Sequence, residues 1–174
     1  MIHSSMTTKT KAVNGKSKGN AFERKIANLL SDRFKEHLKV EKGFSRNPDS
    51  GSFFGGTNAR RTTTHNLDYA VFGDLICPRD FKYTLECKHY KSAPTFQSVF
   101  DQQVTQWDGW LAQAKQDSIS AGKAMMLIIK YNNVKEIVFL DSPLDEVECQ
   151  LKYKGYYGYK LETVLANEDT FFFT

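Results

Sequence analysis

The sequence predicts a single α/β domain, and three observations carry that expectation. Apolar residues at helical spacing, Phe22, Ile26, Leu29, Leu30 and Phe34, precede a set of short β-rich stretches. A second helical stretch then separates these from two more apolar runs, 124–130 and 137–140, so helices and strands alternate along the chain. Finally, 174 residues with 40% hydrophobic and 25% charged content suffice for a core without disulfides or a structural metal. Repeat solenoids, collagen and disorder throughout are excluded on the same grounds. The longest apolar run, Ala124 to Ile129, is far short of the roughly 20 residues a membrane-crossing helix needs, so no membrane association is expected. The early residues are Lys-containing and polar with no apolar stretch behind them, unlike a secretory signal. Three unclustered cysteines fit a reducing compartment, and a cytoplasmic, non-secreted protein is expected.

Residues 1–18, with Lys9, Lys11, Lys16 and Lys18, have no apolar period and read as a flexible basic arm; residues 19–174 read as one folded domain. A helix is expected over about 20–38, with Asn20 as its cap and Glu23 reaching back to it. A short strand over 39–46 leads into Asn47-Pro48-Asp49-Ser50-Gly51-Ser52-Phe53-Phe54-Gly55-Gly56, a run of turn formers long enough to be functional, with Arg60 and Arg61 just behind it. Residues 67–76 and 81–90 read as two strands of one hairpin turning at Pro78, Arg79 and Asp80. Phe96, Val99, Phe100, Val104, Trp107, Trp110, Leu111 and Ala114 then predict one long helix or two broken ones, ended by Gly122. Strands at 124–130 and 137–140 and a short helix near 158–166 complete the chain.

Charge is unevenly placed. Residues 1–140 hold 21 Lys and Arg against 13 Asp and Glu, whereas residues 141–174 hold 3 against 7. A basic body suits a polyanionic partner such as DNA, because Lys and Arg displace the counterions condensed on phosphates.

The chemistry-bearing group is Asp74 followed by Glu86-Cys87-Lys88. Glu86 and Lys88, two apart on a strand, leave the same face, and Cys87 leaves the other. Counting back across the Pro78 turn brings Asp74 to within about one residue pair of Glu86, so two carboxylates and an ammonium are expected to converge near one end of the hairpin. Such a trio suits metal-dependent phosphodiester cleavage. Mg²⁺, with Mn²⁺ as a substitute, prefers oxygen donors, here Asp74, Glu86 and the backbone carbonyl of Cys87, while Lys88 positions water or neutralises charge at the phosphate. The competing reading is a plain surface ion pair.

The ordered set Gly19-Asn20-Ala21-Phe22-Glu23-Arg24, Pro48-Asp49-Ser50-Gly51-Ser52, Gly73-Asp74-Leu75, Leu85-Glu86-Cys87-Lys88, Trp110-Leu111-Ala112-Gln113-Ala114 and Gly122-Lys123 before Leu127-Ile128-Ile129-Lys130 resembles the PD-(D/E)xK nuclease superfamily. Within it, the likeness is to archaeal-type and phage Holliday junction resolvases, over about residues 18–140. The proline that often precedes the first acid is Gly73 here. The resemblance implies a restriction-endonuclease-like αβββαβ core with a central mixed β-sheet flanked by helices. It also implies that Glu23 completes the metal site, that Ser50 or Ser52 contacts the phosphate, and that Gln113 sits near the cleft. Each has a plainer alternative: a capping role for Glu23, turn roles for Ser50 and Ser52, and a wet helix face for Gln113. Arg60 and Arg61 either clamp phosphates or are merely solvated. Trp107 and Trp110 either stack on bases or fill the core. His65, His89 and the cysteines lack the spacing of a zinc site.

The expected function is a Mg²⁺-dependent endodeoxyribonuclease cutting branched DNA, with the basic residues Lys16 and Lys18 of the arm holding the DNA. The resemblance implies a homodimer, since a four-way junction needs two symmetric cuts, and the aromatic tail from Tyr153 to Phe173 offers a surface for it. If phage-encoded, the protein would act in the cytoplasm of a bacterial host. Other nucleases of the superfamily, of restriction, repair or DNA-processing type, and a non-catalytic DNA-binding module on the same fold are the alternatives.

Overall fold

Helix α1 (Gly15–Arg33) is set by its apolar period: Phe22, Glu23, Ile26, Ala27, Leu30 and Ser31 form its buried side. The computed structural model describes residues 15–48, 69–71 and 73–174. The helix starts before the expected cap, so Asn20 lies inside it, and Lys16 and Lys18 stand in its first turns rather than in an arm. It also ends before residue 38. Phe34 leaves helical geometry, at φ −107 and ψ 12, and a short α2 (Lys35–Leu38) follows. The break has a packing cause: Phe34 is fully buried and its ring meets those of Phe44, Phe172 and Phe173 at centroid distances of 5.9, 4.8 and 5.0 Å. Ser50, Ser52, Arg60 and Arg61 lie outside the described residues, as does the arm before residue 15.

The expected hairpin is replaced by a different pairing. β1 (Ser45–Arg46), β2 (Tyr69–Val71) and β3 (Leu75–Pro78) form a small antiparallel sheet in the order β1-β3-β2, with Val71 opposite Ile76. Tyr69–Val71 and Leu75–Pro78 therefore run antiparallel to each other and not on as one strand. Gly73 makes this possible, at φ +73, a backbone conformation proline cannot adopt. β4 (Tyr83–Tyr90) instead belongs to a second sheet of five strands, and a bridge between Gly73 and Leu85 connects it to the small sheet.

After β4 come α3 (Phe96–Phe100) and α4 (Thr105–Ala121), then β5 (Ala124–Tyr131), parallel to β4 with Glu86 beside Leu127. That crossover through helices is what a parallel pair requires. Gly122, at φ +64, ends α4 where the sequence places a stop. β6 (Ile137–Leu140), β7 (Leu151–Tyr153) and β8 (Tyr156–Lys160) extend the sheet antiparallel, in the order β4-β5-β6-β8-β7, and α5 (Leu161–Leu165) and α6 (Asp169–Phe172) close the chain. The β7–β8 hairpin was not expected from the sequence. Its turn, Lys154-Gly155, takes φ 46 and +86, the positive pair that two-residue hairpins favour.

Side chains alternate between the two faces of the sheet. Leu85, Cys87, Met126 and Ile128 pack with α1 and the tail, while Met125, Leu127 and Ile129 pack with Trp107 and Leu111 of α4. Most of the aromatic tail belongs to this interior, with Tyr156, Tyr157 and Phe171 half-buried at its margin. Tyr153, Tyr159, Phe172 and Phe173 are buried, and the hydroxyls of Tyr153 and Tyr159 accept from the amides of Val104 and Leu144 at 2.8 and 3.0 Å. Arg33 fastens α1 to the tail, donating to the Leu165 and Asn167 carbonyls and to Asp169. Among the described residues, no helix is long and apolar enough to cross a membrane.

Two substitutions check this packing. Phe34→Ala should lower the unfolding free energy by about 3–5 kcal/mol. Gly73→Ala should lower it by about 1–3 kcal/mol, because a Cβ there would stand 2.4 Å from the Leu85 carbonyl oxygen at a strained φ. Urea unfolding followed by circular dichroism measures both; a Gly73→Ala protein as stable as the parent would refute the close approach.

Candidate active site

The site is assembled where the Gly73 turn meets the free edge of β4. The amide of Asp74 donates to the Leu85 carbonyl at 2.8 Å, and Asp74 Oδ2 accepts from the amide of Cys87 at 2.8 Å. These two bonds hold the carboxylate against the backbone that carries Glu86. The turn is pinned from its other side by Asn47, which is buried. Its amide donates to the Asp74 carbonyl at 2.9 Å and its Nδ2 to the Gly73 carbonyl at 3.0 Å.

Glu86 and Lys88 leave the α4 face of β4, as their spacing requires, while Cys87 enters the opposite core. Lys88 Nζ donates to Glu86 Oε1 at 2.5 Å and to Gln113 Oε1 at 3.2 Å, and Gln113 Nε2 donates to the same Glu86 oxygen at 2.6 Å. Gln113 is thus brought into the group, in a closed triangle with the acid and the ammonium. Glu23 approaches from α1. It is buried and salt-bridged to Arg46 Nε at 2.5 Å, and Arg46 Nη2 donates to Asn20 Oδ1 at 3.0 Å. Asn20 therefore anchors an arginine and does not cap a helix, which removes the capping role expected for Glu23. Glu23 still acts on the site through its charge, which is felt at Asp74.

The electrostatics follow from too many buried acids for one ammonium. Burial raises the pKa of Asp74, against the pull of Lys88 and the Cys87 amide. Burial and the Asp74 charge push Glu86 up to about 8, against Lys88. Burial disfavours the charge on Lys88, but Glu86 and Asp74 outweigh it and hold its pKa above the ordinary value. The Cys87 thiol is pushed far up by burial and the acids around it, so it has no nucleophilic character. Asp117, one turn beyond Gln113 on α4, is a member of this field that the sequence reading missed. Burial raises its pKa, Lys88 lowers it, and its charge in turn raises Glu86. The i, i+4 spacing from Gln113 was the available signal. Arg46 and Asn47 were also missed; a polar pair closing a strand before a proline gave little to read.

A model of the family described as "Phage putative PDDEXK endonuclease" matches residues 14–170. The chain belongs to that family. No curated protein and no solved structure matches it. Membership in the phage PDDEXK endonucleases agrees with the superfamily resemblance and with the five-stranded mixed sheet flanked by helices. It makes the chain a nuclease of this type, a class that generally uses divalent metals.

The residues of this PDDEXK endonuclease fit such a metal. Glu86 Oε2 is buried and meets no donor among the described residues when both acids are ionised; its neighbour is the Asp74 carboxylate, with which it shares a hydrogen bond once one of the two holds a proton. A buried, orphaned carboxylate oxygen beside a second acid is costly unless a cation meets it. Among the described residues, no three His, Cys, Asp or Glu side chains form a metal-holding cluster, so two side-chain acids, with a main-chain oxygen, are the set on hand.

The raised pKa of Glu86 gives a pH signature. The native state binds this proton more tightly than the unfolded chain, whose value is near 4.5, so the associated stability is whole below that pH and lost as pH rises through about 8. In EDTA, the urea midpoint should fall between pH 5 and pH 9, and fall less in Glu86→Gln. An equal fall in both proteins would contradict the assignment.

Proposed function

We propose that this protein is a Mg²⁺-dependent endodeoxyribonuclease that cuts branched DNA, in the manner of a Holliday junction resolvase. The observation that carries the nuclease chemistry is the orphaned Glu86 oxygen next to Asp74, with Lys88 held alongside. Asp74, Glu86 and the Cys87 carbonyl would hold the metal, while Glu23, salt-bridged to Arg46, adds its negative charge to the field at Asp74. When bound there, Mg²⁺ or Mn²⁺ supplies Lewis-acid activation of water and neutralises charge on the scissile phosphate. The chain's own groups do the positioning. The Cys87 amide fixes the Asp74 carboxylate, Gln113 fixes both Glu86 and Lys88, and the Lys88 ammonium places positive charge at the phosphate.

Support for a branched substrate is the resolvase-like order of motifs, together with the basic residues of the first 140. A homodimer supplies the two cuts a junction needs. Ser50 or Ser52, Arg60, Arg61, Lys16 and Lys18 are the proposed phosphate contacts. Lys16 and Lys18 stand on α1, the helix that carries Glu23.

Nicking of a synthetic four-way junction, a linear duplex and a single strand tests this reading. The junction should be cut in Mg²⁺ and not in EDTA, and Asp74→Asn or Glu86→Ala should slow cutting by more than about 100-fold while junction affinity stays within a few-fold. Full activity in either variant would refute the site, and preference for linear duplex would refute the substrate. Replacing Arg60 and Arg61 by Ala should weaken binding to all DNA and reduce the salt slope by about 1–2; an unchanged slope would remove them from the phosphate path.

A further inference from the structure

The α4 face of β4 does not end at Lys88. Tyr90 follows at the next position of the same alternation, so Glu86, Lys88 and Tyr90 share one side of the strand. Its ring lies 5.7 Å from that of Trp110 at 58°, and Trp110 is one helical turn before Gln113 on α4. The strand and the helix that build the active site therefore also build an aromatic pair beside it.

The two tryptophans have different situations. Trp107 is 3% exposed and its indole N–H donates to the Tyr131 hydroxyl at 2.7 Å, a satisfied core residue. Trp110 is only half-buried, and no hydrogen bond or ion pair of its ring is present among the described residues. Tyr90 is 49% exposed, with exposed Lys91 next to it. An aromatic pair that is open to solvent and bracketed by Lys88 and Lys91 suits a polyanion carrying flat rings.

Distance selects which part of the polyanion reaches it. Two residues of extended strand span about 6.6 Å, roughly two base steps of a nucleic-acid strand. With a phosphate held at Lys88, the base that reaches Tyr90 is thus one or two nucleotides from the cut. Inside an intact duplex that base is stacked and its faces are covered, so the rings can engage it only when it is unpaired. We infer that Tyr90 and Trp110 stack on an unpaired base flanking the scissile phosphate and so favour DNA opened at the cut over continuous duplex. This rests on the nuclease reading above for where the phosphate lies.

The test uses the full chain in an Asp74→Asn background, with a gapped duplex carrying 2-aminopurine beside the gap and an ungapped duplex of the same sequence. The parent should quench 2-aminopurine on binding. Tyr90→Leu should abolish the quench, weaken binding of gapped DNA about tenfold and leave duplex binding within twofold. Tyr90→Phe, which keeps the ring, should behave as the parent, and Trp110→Phe should remove the tryptophan emission change on binding. Equal weakening for both DNAs, or no change in Tyr90→Leu, would overturn the inference. Nicking by the otherwise unaltered enzyme is scored separately. If it cuts a junction while Tyr90→Leu changes nothing, the inference falls and the nuclease reading stands. If it never cuts yet gapped DNA binding depends on Tyr90, the nuclease reading falls and the stacking platform stands. If neither DNA binds, both fall.

Discussion

The docking of Asp74 onto the edge of β4 is the contact on which the rest of the site depends. Two backbone-directed hydrogen bonds, from the Asp74 amide to Leu85 and from the Cys87 amide to the Asp74 carboxylate, join a small three-stranded sheet to a larger five-stranded one. Only a glycine at position 73 permits the approach, because a Cβ would collide with the Leu85 carbonyl. The positive φ at Gly73 also explains why a proline is absent before this acid. Backbone geometry, set by one residue without a side chain, thereby decides how Asp74 meets the strand that carries Glu86.

Once the acids are together, their charge must be balanced. Lys88 is the ammonium that faces Glu86, Asp74 and Asp117, while Arg46 is engaged with Glu23. Burial first, and then the crowding of two acids around one ammonium, raises the pKa values of both and, when both are ionised, leaves an oxygen of Glu86 with no donor. In a purely structural ion pair this would be a defect, since leaving a buried carboxylate undersatisfied destabilises the fold. In a site that awaits a divalent cation it is the expected state. Gln113 serves this arrangement by holding Glu86 and Lys88 in fixed relation without adding charge.

Much of this site was legible because strand periodicity is rigid: Glu86 and Lys88 had to share a face, and Cys87 had to leave the other. The convergence of Asp74 was anticipated through a hairpin that does not exist. The partner contact arises from a turn at Gly73 and a bridge to Leu85, a tertiary arrangement that alternation cannot reveal. Tertiary packing also misled at Phe34, where a good helical period breaks because the ring fills an aromatic pocket. The tail was misread for a nearer reason. Tyr153-Lys154-Gly155-Tyr156 carries a hairpin signal, Lys-Gly between aromatics, that was available to be read. Tyr153, Tyr159, Phe172 and Phe173 line the core, while Tyr156, Tyr157 and Phe171 stay half-buried. Arg46 and Asn47 had no local signature, since their roles exist only once α1 and the Gly73 turn are side by side.

Asp74 and Glu86, crowded around the one ammonium of Lys88, are the acids proposed to receive a divalent cation. Calorimetric titration of Mn²⁺ into the protein without DNA, near pH 7 and in buffers of differing ionisation enthalpy, tests that assignment most directly. Binding should be saturable and release about one proton as Glu86 ionises, with both the binding and the proton release lost in Glu86→Gln. Binding of equal affinity in that variant, or no binding to the parent, would contradict the assignment.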